Sequence, residues 1–244
     1  MRAVIQAGGK GARLRPYTTV IPKPLMPVDD MPILEVVIRQ LAHHGIRRIT
    51  ITTGHLSHLL HAFFGDGRNW GVEIDYVVEP KPLGTVGAVK LVKDLRQPFL
   101  MMNGDLLTDI DYSDLLAFHR KRKRAFTIAT YRKPVPVDLG VIELNGRNEV
   151  TAFREKPTLE VNVSMGIYVF EPSLLELVPS GRYFGFDDLM ARTLKRGIKP
   201  AIYRFNGRWL DIGRPSDYEV ATAELQKHRS RFLPTRRRRR EGAR

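Results

Sequence analysis

Residues Ala7 to Val28, AGGKGARLRPYTTVIPKPLMPV, decide how the rest of the chain is interpreted. Three glycines, Gly8, Gly9 and Gly11, directly follow Arg2 to Ala7, an apolar run typical of a buried strand. Glycine lets backbone amides approach phosphate oxygens closely and adopts positive φ without strain. Ligands of an open α/β sheet bind at the carboxyl ends of its strands, where this loop falls. The stretch therefore indicates a phosphate site, although three glycines alone fit a tight turn almost as well.

Two common phosphate-binding motifs do not fit the residues that follow the glycines. A Walker A loop ends in Gly-Lys-Ser or Gly-Lys-Thr, which this segment lacks. The dinucleotide fingerprint needs a further glycine at position 14, which is Leu14. Arg13 and Lys23 instead place two positive charges beside the loop. The segment therefore predicts a polyphosphate site of another type.

Strand-like and helix-like stretches alternate through the first half of the chain. Apolar periodicity predicts strands over 2–7, 48–53, 72–79 and 99–103, and helices over 32–44, 57–64, 85–95 and 111–123. The second half predicts strands over 125–131, 139–144, 150–154, 163–170 and 200–205, and helices over 187–195 and 216–227. We expect an α/β fold, a Rossmann-like mixed and mainly parallel sheet flanked by helices, with an inserted β-rich half.

Composition and charge limit the classes of partner. The 244 residues contain no cysteine, and no apolar run approaches the ~20 residues of a membrane helix. The net charge is +14, and the last 17 residues hold eight arginines against one glutamate. Such runs are typical of solvated, disordered tails, and this one lacks the interleaved aromatics of single-strand binders. We expect a cytoplasmic protein with neither a membrane nor a nucleic acid as partner.

The glycine-rich segment resembles the signature of the sugar-phosphate nucleotidyltransferases. That signature is Gly-Gly-x-Gly-x-Arg-Leu-x-Pro followed by Pro-Lys-Pro, here Gly8 to Pro16 and Pro22 to Pro24. Ala12 departs from it, since the family usually carries Thr or Ser there. The resemblance implies an enzyme that joins a nucleoside triphosphate to a sugar 1-phosphate. Arg13 and Lys23 would then be catalytic, gripping the phosphates. The nucleotide-binding residues of the loop would be Ala7, Gly8, Gly9 and Gly11.

Two further segments of the resemblance concern the metal and the base. Asp105, in Asn-Gly-Asp, and Asp211, in Trp-Leu-Asp-Ile-Gly, correspond to the aspartates that hold Mg²⁺ in the family. Gly84 and Thr85, in Leu-Gly-Thr-Val-Gly-Ala, correspond to the segment that meets the nucleobase, where glycine would let the backbone read the base edge. Without the resemblance, Asn-Gly-Asp reads as a turn and Thr85 as a helix cap.

The sugar phosphate is assigned by the same resemblance to the second half of the chain. Gly140 would approach the hexose ring, Glu155 would accept sugar hydroxyls, and Lys156 would neutralise the phosphate. Ser164 opens a further sugar-binding strand, where relatives often carry Asn. The implied boundaries are 1–124 for the nucleotide-binding half, 125–228 for the sugar-phosphate-binding half, and 229–244 for a disordered basic tail.

The identity of the substrates is less constrained than the reaction. Residues 22–28 and 209–215 look most like mannose-1-phosphate guanylyltransferases without a C-terminal β-helix, which implies GTP and a mannose 1-phosphate-like sugar. Thymidylyl or uridylyl transfer to glucose 1-phosphate, or to an unusual sugar or cyclitol phosphate, stays open. A non-catalytic regulatory subunit is the alternative of another class, and relatives of the fold commonly form homo-oligomers.

Overall fold

The computed structural model describes residues 1–233 of the 244-residue chain. The strands are β1 (Arg2–Gln6), β2 (Pro27–Val28), β3 (Met31–Pro32), β4 (Arg48–Thr53), β5 (Glu73–Val78), β6 (Phe99–Asn103), β7 (Leu106–Thr108), β8 (Phe126–Pro136), β9 (Val141–Leu144), β10 (Val150–Arg154), β11 (Thr158–Phe170), β12 (Ala201–Phe205) and β13 (Trp209–Asp211). The α-helices are α1 (Ile33–His43), α2 (Ser57–Phe64), α3 (Gly84–Gly87), α4 (Tyr112–Arg122), α5 (Phe186–Lys195), α6 (Pro215–Lys227) and α7 (Arg229–Phe232). Within residues 1–233, no helix is both long and apolar enough to cross a membrane.

A seven-stranded sheet forms the centre of the molecule, in the order β12-β8-β11-β6-β1-β4-β5. β1 is parallel to β4 and β6, β4 to β5, and β8 to β12. β11 is antiparallel to both of its neighbours. The sheet is therefore mixed and mainly parallel, as predicted. The carboxyl ends of β1, β4 and β6 meet at one edge, which is where ligands of such sheets bind.

The core has two layers, one on each face of this sheet. Ile5 of β1 faces a cluster that includes Leu41 of α1 and Leu60 of α2. Val4 faces the opposite cluster, which includes Val86 of α3. Because successive side chains of a strand alternate between faces, Gln6 shares the face of Val4.

The predicted β-rich half departs from the sheet as an arm. β8 and β11 are buried where they cross the sheet and exposed over residues 132–136 and 158–162 beyond it. β9 and β10 form a separate antiparallel hairpin carried by this arm. The arm gives the second half of the chain a large solvent-facing surface.

The helix predicted over residues 85–95 is wrong beyond its first turns. α3 ends at Gly87, a 3₁₀ helix covers Ala88–Leu91, and the backbone is extended at Val92. Ala88 is buried in this stretch, and so are its three valines, Val86, Val89 and Val92. A spacing of three places such residues on one side of a 3₁₀ helix, so packing favours that form over an α-helix.

The predicted disordered tail begins too early. Arg229–Phe232 is helical, and the Phe232 side chain is fully buried. The Arg229 guanidinium donates to Asp29 Oδ2 at 2.7 Å and to Asp30 Oδ2 at 2.8 Å. The first residues of this basic segment thus belong to the folded body, because their aromatic side chain has a core site. The rest of the predicted tail, 234–244, lies outside the described residues.

Candidate active site

The glycine-rich loop leaves the carboxyl end of β1 with its amides available. The Ala7 amide donates to Thr52 O at 2.9 Å, which fixes the start of the loop to β4. Within residues 1–233, the backbone amides of residues 8–13 have no backbone carbonyl as a hydrogen-bond acceptor. Gly11 adopts a φ of +58°, and its carbonyl accepts from Thr18 Oγ1 at 2.8 Å. The loop therefore presents free donors, the groups that bind phosphate oxygens.

The Glu79 carboxyl group occupies the space beside Gly8. A Cβ on Gly8 would lie 2.2 Å from Glu79 Oε1. The other carboxylate oxygen, Oε2, accepts from the Leu83 amide at 2.9 Å. Burial raises the pKa of Glu79, against the effect of this hydrogen bond. The carboxyl group is thus held between the phosphate loop and the segment that leads to α3.

Two short strands bring the predicted metal ligands together. β7 follows Asp105 and pairs antiparallel with β13, so that Asp211 lies opposite Leu106. The Ile212 amide donates to Asp105 O at 3.2 Å. Burial, then the charge of Asp105, raises the pKa of Asp211, while Lys23 opposes the shift. The two carboxylates are thus electrostatic neighbours, with Asp105 partly buried and Asp211 more exposed.

The two predicted catalytic side chains, Lys23 and Arg13, lie beside these two carboxylates. Lys23 Nζ forms an ion pair with Asp105 Oδ2. The Arg13 guanidinium lies 3.2–3.3 Å from where a Gly213 Cβ would be, and its charge acts on Asp211. The absent side chain at Gly213 therefore leaves room for Arg13. Four residues from three separate segments form one charged cluster beside the loop.

This cluster has the donors that a hard divalent cation needs. Asp105 Oδ1 is buried and has no hydrogen-bond partner among residues 1–233. An unpaired buried carboxylate oxygen is costly unless a cation or donor meets it. Over the same residues there is no group of three or more metal-ligating side chains. The protein could thus supply two carboxylates, which suits Mg²⁺, an ion that completes its shell with phosphate oxygens and water.

An open pocket of about 310 Å³ lies next to the cluster. Seven of the predicted site residues line it: Ala7, Gly8, Gly9, Lys23, Gly84, Thr85 and Asp105. Gly11, Arg13 and Asp211 are not part of its lining, and the latter two belong to the charged cluster. The predicted nucleotide and metal residues thus converge on one edge of the sheet.

Gly84 and Thr85 line the pocket and also contact the segment that leads into α5. Gly84 has a φ of +77°, and a Cβ there would lie 2.8 Å from Phe184 O. Thr85 Oγ1 accepts from the Phe186 amide at 3.1 Å. The Phe184 amide donates to Leu83 O at 2.8 Å. Glycine is therefore required at 84 for backbone conformation and for close packing of residues 184–186.

The four residues predicted to bind the sugar phosphate lie outside this pocket. A Cβ on Gly140 would lie 3.4 Å from Glu155 Oε2, so these two are neighbours on the arm. Lys156 follows at φ +42°, and it is exposed. Ser164 Oγ lies 2.8 Å from Tyr168 Oη at an irregularity in β11. The structure thus gathers Gly140 and Glu155 but leaves all four residues open to solvent.

Seven lining residues were not among the predicted site residues: Gln6, Pro24, Glu79, Pro82, Asn103, Gly104 and Tyr183. Gln6 ends β1, and Tyr183 lies on the segment before α5 with 68% of its surface exposed. A polar residue ending an apolar strand was a usable signal for Gln6. Tyr183 had no such signal, since it reaches the pocket only through the packing of Phe184 against Gly84.

Comparison with known proteins agrees with this arrangement. The sequence model described as nucleotidyl transferase matches residues 2–228. A mannose-1-phosphate guanylyltransferase of Mycobacterium tuberculosis is 34% identical over 231 residues, which cover 91% of this chain and 64% of the relative. A UTP–glucose-1-phosphate uridylyltransferase of Synechocystis sp. is 32% identical over 240 residues, covering 89% of this chain and 61% of the relative.

A solved structure gives the same result for the fold. A Bacillus anthracis protein assigned as a glucose-1-phosphate thymidylyltransferase, in complex with a sucrose, superposes with a TM-score of 0.73. It is 28% identical, and the match covers 91% of this chain and 94% of that one. The chain spans 61% and 64% of the length of the two sequence relatives above. With its loop, charged cluster and mixed sheet, the chain belongs to the nucleotidyl transferase family, among the sugar-phosphate nucleotidyltransferases.

Proposed function

We propose that this protein transfers a nucleoside monophosphate from a nucleoside triphosphate to a sugar 1-phosphate and releases pyrophosphate. The observation that carries the proposal is the meeting of Arg13, Lys23, Asp105 and Asp211 beside a loop with free amides. A phosphate monoester is already anionic near neutral pH, so its oxygen needs no strong general base. Positioning and charge neutralisation can then supply most of the catalysis.

The reaction is an in-line displacement at the α-phosphorus. An oxygen of the sugar 1-phosphate forms the new P–O bond as the bond to the β-phosphate oxygen breaks. Negative charge grows on that leaving oxygen, and fixed cations nearby stabilise it. Arg13 would hold the departing pyrophosphate. Lys23 would exchange its ion pair with Asp105 for the phosphates at the reacting centre.

Asp105 and Asp211 would hold Mg²⁺ in this proposal. The unpaired, buried Oδ1 of Asp105 and the adjacent Asp211 carboxylate support the assignment. When bound, the ion would neutralise phosphate charge. The sugar phosphate would be held by Gly140, Glu155, Lys156 and Ser164, the open residues of the arm.

GTP and mannose 1-phosphate are the substrates we favour. The segments 22–28 and 209–215 resemble mannose-1-phosphate guanylyltransferases, and the Mycobacterium tuberculosis relative is named as one. The Synechocystis and Bacillus relatives are named for UTP and for thymidylyl transfer, both with glucose 1-phosphate. Those pairs are the competing substrates.

A pyrophosphate-release screen tests the proposal. It crosses ATP, GTP, CTP, UTP and dTTP with mannose, glucose and heptose 1-phosphates, and with a cyclitol phosphate. We expect the highest kcat/KM for GTP with mannose 1-phosphate. Lys23→Gln should lower it at least ~100-fold, and Lys121→Gln, an exposed lysine on α4, should leave it unchanged. No release from any pair would exclude the reaction.

A further inference from the structure

Gln6 carries a buried hydrogen-bonding group that the protein does not use. Its Oε1 accepts from Thr52 Oγ1 at 2.8 Å, which fixes one end of the side-chain amide. The other end, Nε2, is buried and has no partner among residues 1–233. Gln6 also lines the pocket. A buried unpaired amide costs stability, so its presence at a ligand pocket points to a ligand that completes it.

The side of the sheet on which Gln6 lies indicates which part of a ligand it meets. Its side chain shares the face of Val4, where α3 and the segment before α5 pack. Gly84 and Glu79 border the pocket on that side. The phosphate-binding groups, by contrast, belong to the loop and to the charged cluster around Asp105. Gln6 is therefore placed toward the nucleoside rather than the reacting phosphates.

Tyr183 closes the same end of the pocket. Its neighbour Phe184 donates to Leu83 O and accepts from the amides of Val86 and Gly87 at 3.1 and 2.9 Å. The approach is close at Gly87, where a Cβ would lie 3.1 Å from Arg182 O. Tyr183 is thus anchored next to Leu83, while its ring remains largely exposed.

We propose that Gln6 selects the nucleobase by a hydrogen bond from its side-chain amide, and that Tyr183 forms the wall against which the base stacks. This inference rests on the proposed function for its ligand class, a nucleoside triphosphate. The two residues act differently. A hydrogen bond discriminates among bases, since their edges differ, whereas stacking is tolerant because every base has a flat face.

The test is equilibrium binding of four ribose-labelled fluorescent nucleoside triphosphates to variants of the whole protein. Gln6→Leu should raise the Kd of the preferred nucleotide about 10- to 100-fold, and the Kd of each of the others less than about threefold. Tyr183→Ala should raise the Kd of all four nucleotides by a similar factor, about 5- to 100-fold. Tyr183→Phe keeps an aromatic ring and should bind them as the wild type does. Gln97→Leu, an exposed glutamine before β6, is the matched control and should change nothing.

Thermal melting separates ligand recognition from a structural role. Gln6→Leu removes the unpaired amide but also the acceptor of Thr52 Oγ1, which keeps Ile5 O as an acceptor at 3.4 Å. These effects oppose each other, so the Tm should stay within about 4 °C of the wild-type value. Uniform or absent weakening by Gln6→Leu, or a lower Tm with loss of all binding, would overturn the inference. Where pyrophosphate release occurs, a change in KM for the sugar phosphate alone would also overturn it. Base-selective binding without any release of pyrophosphate would contradict the proposed reaction but would still support this inference.

Discussion

Single absent side chains shape the candidate active site. Gly8 leaves room for the Glu79 carboxyl group, and Gly213 leaves room for the Arg13 guanidinium. In both places the neighbour is a charged group that would have to move if a methyl group were added. The loop glycines therefore do more than release amides for phosphate, since one of them also fixes the position of an acid.

Replacing Gly8 by Ala tests this view at one residue. The added Cβ would displace Glu79 Oε1, which lies 2.2 Å from its position, and so would disturb the pocket rather than the core. We expect kcat/KM for pyrophosphate release to fall about 100-fold, since misplacement of about 1 Å near the chemistry has that effect. The control is Gly146→Ala on the β9–β10 turn, where no atom lies within 4 Å of the added Cβ. Equal activity of the two variants would contradict the assignment.

The sequence predicts the residues of fixed motifs better than those of the pocket wall. Arg13, Lys23 and Asp105 could be identified because their spacing within short segments matches a family signature. Gln6 gave only the signal of a polar residue at the end of an apolar strand, and Tyr183 gave none, since its exposure to the pocket depends on contacts between distant segments. Burial and hydrogen-bond partners, not residue type, distinguish them.

At the scale of elements, two very short strands hold the charged cluster together. β7 and β13 have three residues each, and no local pattern predicts strands of that length. Their pairing sets Asp211 beside Asp105, although half the chain separates them. The resemblance could pair these aspartates in sequence, but only the fold supplies the reason for their proximity.

His44 links the end of α1 to the start of α4 and should make stability depend on pH. Its Nδ1 lies 3.2 Å from Ser113 Oγ and from Asp111 Oδ1. Burial lowers the pKa of His44 below 6.5, with Asp111 opposing and His43 adding to the shift. The folded state thus favours the neutral imidazole of His44. The stability that this imidazole contributes is present above about pH 6.5 and is lost as the pH falls.

Urea unfolding of wild type and His44→Gln at several pH values measures this effect. Below pH 6.5 the free energy of unfolding of the wild type should carry an extra decline of up to about 1.4 kcal/mol per pH unit. His44→Gln should lack that decline, and His43→Gln, an exposed neighbour, should keep it. If the free energy of unfolding depended on pH in the same way for the wild type and His44→Gln, His44 would not be the source of the effect.

The short helix α7 should be part of the cooperative fold. Phe232 is fully buried, and Gln40 Nε2 donates to Phe232 O at 2.8 Å and to Thr108 O at 2.6 Å. Phe232→Ala should therefore lower the free energy of unfolding by about 3–5 kcal/mol. Arg231→Ala, at an exposed neighbour, should cost less than about 0.5 kcal/mol. A small effect of Phe232→Ala in chemical denaturation would show that α7 is dispensable.

For the whole molecule, strand–helix alternation was enough to predict the class of fold. Parallel strands need crossover connections, and the helical stretches between the predicted strands supplied them. The order of the strands, with β11 inserted antiparallel between β6 and β8, could not be predicted. That order depends on pairings between distant segments, which the register of hydrophobic residues along one strand does not specify. The arm built by β8 and β11 depends on it as well.

We propose that the cluster of Arg13, Lys23, Asp105 and Asp211 performs magnesium-dependent nucleotidyl transfer. The most direct test is the rate of pyrophosphate release against Mg²⁺ concentration, for the wild type and for Asp105→Asn, with the best substrate pair. Asp105→Asn removes a carboxylate charge while keeping its shape. We predict that the Mg²⁺ concentration for half-maximal rate rises at least ~10-fold, since one ligand of two loses its charge. Full turnover of Asp105→Asn at low Mg²⁺ would contradict the account.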